Sequence, residues 1–112
     1  MTTLTPEDNK LVVLARATRA RTGAAEGAAL RDLDGRTYAG ATVALPSLQV
    51  SAMGVVIAMA VASGAKGVEA AVVLTDGEVA STDLDALRDL AGPGVTVHRA
   101  GPTGSVEATL ST

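Results

Sequence analysis

Val50-Ser-Ala-Met-Gly-Val-Val-Ile-Ala-Met-Ala-Val-Ala62 is the longest apolar run of the chain, and it contains no charged residue. Pro46-Ser47 precedes this run and Gly64 follows it, so the pattern predicts a helix from Pro46 to about Ser63. A helix that is apolar on every side is expected to be buried on every side. A sheet can cover one face of such a helix, and the other face then needs a second cover.

A stripe of small residues runs along this predicted helix. Gly54, Ala58 and Ala62 recur at intervals of four residues, so they share one helix face. Small side chains on that face would let another helix approach closely. We interpret the stripe as an oligomer interface, which predicts a homodimer or a homotetramer. The alternative is that the chain's own helices cover this face.

The segments around the central helix alternate between strand and helix patterns. Asp34-Gly35 joins two extended segments and is a strong hairpin signal. The predicted elements are a helix from Thr5 to Gly23, strands at Ala24–Leu33 and Arg36–Val43, the central helix, a strand at Val68–Thr75, a helix at Asp83–Ala91, and strands at Val95–Arg99 and Val106–Leu110. This α-β-β-α-β-α-β-β order predicts an α/β fold, with a mixed sheet and helices on its faces in a single domain, residues 1–112.

The composition excludes several classes of function. The chain of 112 residues has no cysteine, one histidine and one tyrosine, and its formal charge is −3. The lack of cysteine excludes disulfides and thiolate metal sites. The acidic charge argues against nucleic-acid and membrane-surface partners. The apolar run is too short to span a membrane, and Met1–Asp8 has no signal-peptide pattern, so we expect a cytoplasmic protein.

The order of elements and their residues together resemble the small homotetrameric cytidine deaminases. The resemblance rests on Gly27-Ala-Ala-Leu30, Asp34-Gly-Arg-Thr-Tyr-Ala-Gly40, Val43-Ala-Leu-Pro-Ser47, the run from Ser51 to Gly64, and Ala70-Ala-Val-Val-Leu-Thr-Asp76. It spans about Leu11 to Val97. It implies a three-layer α/β/α sandwich around a mixed five-stranded sheet, assembled as a homo-oligomer.

The chain departs from the family pattern at the residues that carry the family's chemistry. In that family three cysteines hold Zn²⁺ and a glutamate transfers protons. Ser51 stands at the first cysteine, Met53 at the glutamate, Ser81 and Leu84 at the other two cysteines, and Thr42 and Ala44 at the ribose-binding pair. A serine hydroxyl is a poor zinc ligand and leucine is none. We therefore expect no metal, no cofactor and no catalytic residue.

These departures leave three hypotheses for the function. The first is a pseudoenzyme that acts through self-assembly or by binding a partner. The second is the nucleoside or cytidine deaminase activity that family membership suggests. The third is a small-metabolite sensor that uses the emptied pocket at Thr42, Ala44, Ser51 and Met53.

Two other clusters could carry chemistry. A Ser-His-Asp arrangement would require the lone imidazole, His98, to reach Ser51 or Ser81. Asp76, Glu78, Asp83 and Asp85 form an acidic cluster that could bind a hard cation, although such acids also occur at an ordinary helix start. We expect neither cluster to be a site.

Overall fold

The computed structural model describes residues 4–112, so Met1–Thr3 of the amino-terminal stretch considered above lie outside the described residues. Within these described residues, three helices and seven strands follow one another. They are α1 (Pro6–Thr22), β1 (Gly27–Asp32), β2 (Thr37–Ala41), β3 (Val43–Leu45), β4 (Leu48–Val50), α2 (Ala52–Ala62), β5 (Val68–Leu74), α3 (Ser81–Ala91), β6 (Thr96–Ala100) and β7 (Val106–Ser111).

Five of the strands form one mixed sheet in the order β2-β1-β5-β6-β7. Only β5 and β6 run parallel, and the other neighbouring pairs are antiparallel. α1 packs on one face of this sheet, and α2 and α3 cover the other. Both faces are apolar because successive side chains along a strand point to opposite faces of the sheet. The predicted three-layer α/β/α fold is confirmed.

Local sequence signals account for the start of α1 and for the hairpin between β1 and β2. The Thr5 side chain caps α1 by accepting a hydrogen bond from the Asp8 backbone, with the two atoms 3.1 Å apart. The hairpin between β1 and β2 turns at Gly35, whose φ of 85° favours glycine. Buried Asp32 closes this hairpin, since its carboxylate accepts a 2.9 Å hydrogen bond from the hydroxyl of Tyr38.

The prediction that the central helix begins at Pro46 is wrong. Pro46 and Ser47 form the turn of a separate two-stranded sheet, in which β3 pairs with β4 and Leu45 lies opposite Leu48. α2 starts only at Ala52, because the Ser51 side chain caps it by accepting a 3.0 Å hydrogen bond from the Gly54 backbone. Apolar content alone did not distinguish a short hairpin from a first helical turn.

Within one chain the central helix is buried on one face only, so its burial on every side stays a prediction that depends on a partner. α2 buries Ala52, Met53, Val56, Ile57 and Ala60 against the sheet and α3. Its opposite face leaves Ala58, Met59, Val61 and Ala62 exposed, and Gly54 half-buried. The chain's own helices therefore do not cover the small-residue stripe. We call these five residues the open face of α2.

Glycine allows α2 to lie close to the sheet. A Cβ atom at Gly40 of β2 would lie 2.7 Å from the Val55 methyl carbon Cγ1 of α2, which is shorter than any contact between non-bonded carbon atoms allows.

Within residues 4–112, no helix combines the length and the apolar character needed to cross a membrane.

Candidate functional site

The amino-terminal ends of α2 and α3 meet through one side-chain hydrogen bond. The Ser51 hydroxyl donates to Oδ1 of Asp83 over 2.7 Å while it also accepts from the Gly54 backbone. Asp83 lies in the first turn of α3, where the positive end of the helix dipole stabilises a carboxylate. The bond therefore joins two helix starts and uses the only hydrogen-bond donor of the Ser51 side chain.

α3 starts earlier than the sequence predicted. It begins at Ser81 rather than at the predicted Asp83, and its N-cap is Ala80, which makes no side-chain capping bond. Ser81 is exposed as the first residue of α3, and Leu84 packs against the apolar core. Asp83 lies between Ser81 and Leu84 in this first turn of α3, and its side chain is the one that bonds to Ser51.

Met53 occupies the apolar core rather than the surface of a cleft. Its side chain is 1% exposed and belongs to the cluster that α2 and α3 form with the sheet. A thioether at this position has no acidic proton to transfer.

Thr42 and Ala44 lie between β2 and the hairpin. The Thr42 hydroxyl accepts a 3.0 Å hydrogen bond from the Glu26 backbone and so joins the end of β2 to the start of β1. Ala44 is exposed on β3. The Thr42 hydroxyl is thus engaged by the protein itself.

A surface cavity of about 300 Å³ lies elsewhere, between α1 and the edge strand β2. Its lining residues are Asn9, Lys10, Val13, Leu14 and Thr37. None of the four residues that we placed in an emptied pocket lines this cavity.

Three of the four carboxylates of the acidic cluster predicted near α3 contact three different partners. Asp83 accepts from Ser51, Asp85 accepts a 2.9 Å hydrogen bond from Arg88, and Glu78 lies 3.9 Å from the Nε atom of Arg99. Across the part of the chain that the structure describes, no three His, Cys, Asp or Glu side chains converge as metal ligands. The sequence analysis missed the separate role of Asp83, although its position in a first helical turn was a usable signal.

His98 lies on β6, and its side chain faces α1, on the side of the sheet opposite α2 and α3. It is 5% exposed, with Nε2 3.0 Å from Oδ2 of Asp8 and Nδ1 3.0 Å from the hydroxyl oxygen of Thr109. Arg31 donates a 2.8 Å hydrogen bond to the other oxygen of Asp8. His98 therefore joins α1 to β6 and β7, and it does not contact Ser51 or Ser81.

The surroundings of Asp8 change its acidity. Burial alone would raise the pKa of Asp8, but hydrogen bonds from Arg31 and His98, together with the charge of Arg31, lower it below its ordinary value of 3.8. The carboxylate form of Asp8 is thus stabilised in the folded protein.

Solved structures of cytidine deaminases share this fold. The enzyme from Burkholderia pseudomallei superposes with a TM-score of 0.79 at 25% identity, over 96% of this chain and 93% of that one. The enzyme from Mycobacterium leprae superposes with a TM-score of 0.74 at 21% identity, over 96% of this chain and 94% of that one. The enzyme from Mycobacterium tuberculosis superposes with a TM-score of 0.71 at 21% identity, over 83% of this chain and 85% of that one. The two likenesses at 21% identity show the fold alone.

Sequence comparison leads to the family. No curated protein matches the chain in a sequence search. The family model described as cytidine deaminase-like matches residues 4–104, which is most of the chain. The chain therefore belongs to the cytidine deaminase-like family.

Proposed function

We propose that this protein is a non-catalytic member of its family, a pseudoenzyme that holds no zinc and acts by assembling with further copies of itself. The observation that carries the proposal is the hydrogen bond between Ser51 and Asp83. It joins the starts of α2 and α3. These two helix starts contain all four residues that match the family's zinc ligands and proton-transfer glutamate, namely Ser51, Met53, Ser81 and Leu84. Cytoplasmic location and a single-domain organisation stay predictions from the sequence.

The side chains present at this place do not fit a zinc ion. Zinc takes thiolate, imidazole or carboxylate donors, usually four including any water. Ser51 offers a hydroxyl already bonded to Asp83, Ser81 is exposed, and Leu84 packs into the core. Asp83 alone supplies one suitable donor. A water molecule without a metal has a pKa far above neutral pH, so it is a poor nucleophile there.

The open face of α2 supports self-assembly. Every residue from Thr37 to Ala65 is uncharged, although the chain as a whole has 19% charged residues. Within this segment Met59 is 39% exposed and Val61 is 56% exposed. Contiguous exposed apolar surface of this kind is typical of interfaces between proteins.

The test of the non-catalytic part is a metal and activity assay. Purified protein is incubated with excess zinc, dialysed, and assayed for bound zinc and for conversion of cytidine to uridine. A zinc-containing cytidine deaminase treated in the same way is the positive control. We expect less than one tenth of an equivalent of zinc and no uridine, and stoichiometric zinc with turnover would contradict the proposal.

The test of assembly is the molar mass in solution by light scattering. We expect an oligomer, and we expect Ala58→Glu to yield monomers because it places an unpaired charge in the interface. Val13→Glu is the matched control, since Val13 is 58% exposed on α1, in the opposite layer. Gly54→Glu is less suitable, because a Cβ atom there would lie 3.0 Å from the Ser51 hydroxyl and disturb the helix cap. A monomeric unmodified protein would refute self-assembly.

Deaminase activity is the second candidate, and the likeness to cytidine deaminases over nearly the whole chain favours it. The assay above decides between the two. The metabolite-sensor hypothesis has less support, because Met53 lies in the core and Thr42 bonds to Glu26. It predicts thermal stabilisation by a nucleoside such as uridine, since a ligand of the native state raises its stability.

A further inference from the structure

The surface cavity between α1 and β2 combines an apolar wall with polar side chains. Val13 and Leu14 of α1 form the wall, and Asn9, Lys10 and Thr37 lie beside them. The volume of about 300 Å³ is at the lower end of the range in which proteins bind small molecules. The cavity lies on the α1 side of the sheet, away from α2 and α3, so what binds there is independent of the proposed function.

Among the described residues, Lys10 brings an unpaired positive charge to this cavity. Its ammonium group forms no ion pair with any carboxylate of residues 4–112. Arg31 lies opposite Thr37 in the sheet, but its guanidinium group already donates to Asp8 and lies 3.5 Å from Glu69. Lys10 is therefore the cation that this part of the structure leaves available to a ligand.

Asn9 and Thr37 add hydrogen-bond donors beside this charge. Neither side chain forms a hydrogen bond with another residue of the described part of the chain. An amide N–H and a hydroxyl both donate to a carboxylate. One cation with two neutral donors suits a single negative charge, whereas a phosphate dianion calls for further positive charge.

A small molecule fits this place better than a peptide strand does. β2 is an edge strand of the five-stranded sheet, so strand addition is the alternative way to cover it. Gly40 and Ala41 are buried, however, so much of the edge of β2 is closed to a further strand. A small molecule needs only the cavity itself.

We propose that this cavity binds a small amphipathic monocarboxylate. The carboxylate accepts hydrogen bonds from Lys10, Asn9 and Thr37, and the apolar chain packs on Val13 and Leu14. Bound in this way, the ligand joins α1 to the edge of the sheet and stabilises the native state.

NMR titration of the isotope-labelled protein with octanoate tests the site. We expect saturable shifts at the backbone amides of the five lining residues. Along the series butanoate, hexanoate and octanoate, the dissociation constant should fall about fourfold for each added methylene group that the cavity buries. Octan-1-ol and octylammonium, which have the same chain without a negative charge, should bind more weakly than octanoate.

Matched variants separate the charge of the site from its shape. Lys10→Gln should weaken octanoate binding about threefold and leave octan-1-ol binding unchanged, because an exposed ion pair contributes modestly. Lys66→Gln removes the other lysine, which is exposed between α2 and β5, and should change neither. Thr37→Phe keeps the charge but fills the cavity, so it should abolish saturable binding. Circular dichroism checks that all three variants keep the fold.

Three outcomes would overturn the proposal. The first is the absence of saturable shifts, and the second is shifts that lie away from the cavity, for example on the open face of α2. The third is equal affinity for octan-1-ol and octanoate, which would mean an apolar surface with no preference for an anion. Light scattering on the same samples tests self-assembly separately, so failure of the cavity proposal and failure of the proposed function remain distinguishable.

Discussion

Ser51 and Asp83 are 32 residues apart in the chain, yet the Ser51 hydroxyl and the Asp83 carboxylate meet over 2.7 Å. The bond joins the first turns of α2 and α3 on one side of the sheet. In this fold a single hydrogen bond thus connects two helix starts, and the stability of that connection can be measured.

Asp83→Ala should lower the free energy of unfolding by about 1–3 kcal/mol, because it removes a charged acceptor of Ser51 at a helix start. Urea denaturation followed by circular dichroism measures the change. Asp85→Ala is the control in the same helix, since its exposed ion pair with Arg88 is worth about 0.5 kcal/mol. Equal losses in the two variants would mean that the Ser51 contact adds nothing.

Met53→Glu should destabilise the protein by several kcal/mol, since it places a carboxylate at a core position that is 1% exposed. Met53→Leu, which nearly conserves volume, should cost less than about 1.5 kcal/mol. Thermal unfolding of both variants gives the comparison. A stable, folded Met53→Glu protein would show that this position opens to water, and would revive the emptied-pocket hypothesis.

Gly40→Ala should destabilise the protein by about 1–3 kcal/mol, because the new methyl group would collide with Val55. In the double variant with Val55→Ala the shortest of these contacts is removed, while Val56 Cγ1 at 3.1 Å remains. The two substitutions should therefore cost less together than the sum of their separate effects. A double-mutant cycle in urea measures this coupling, and strict additivity would contradict it.

Asp8 should make the stability depend on acidity. Its pKa is lower in the folded protein than the ordinary value of 3.8, so its contribution is present above that value and is lost as the pH falls through the folded pKa. The difference in unfolding free energy between the unmodified protein and Asp8→Asn should therefore be full near about pH 6 and shrink below about pH 4.

The control for this prediction is Glu7→Gln. Glu7 lies in the same turn and is exposed, and within the described residues it forms no ion pair. A difference that stays constant down to about pH 2 for Asp8→Asn would show that Arg31 and His98 do not stabilise the carboxylate.

The candidate site was predicted only in part. The sequence located Ser51, Met53, Ser81 and Leu84 by their correspondence to the family pattern, and Ser51 and Met53 do lie together at the start of α2. It did not single out Asp83, and it placed Thr42 in a pocket although the Thr42 hydroxyl bonds to Glu26. Which polar side chain meets which partner depends on how helices pack, and residue type alone does not carry that information.

By itself, the sequence determined the order of the three helices and of the five strands of the mixed sheet, and the absence of thiolates, because caps, turn residues and hydrophobic period are local properties. The tertiary structure alone decided that Pro46 lies in a hairpin, that one face of α2 stays open, and that His98 joins Asp8. These features arise from contacts between residues that are distant in the chain. Their free energy depends on packing geometry, which the assembled layers define and no short stretch of sequence contains.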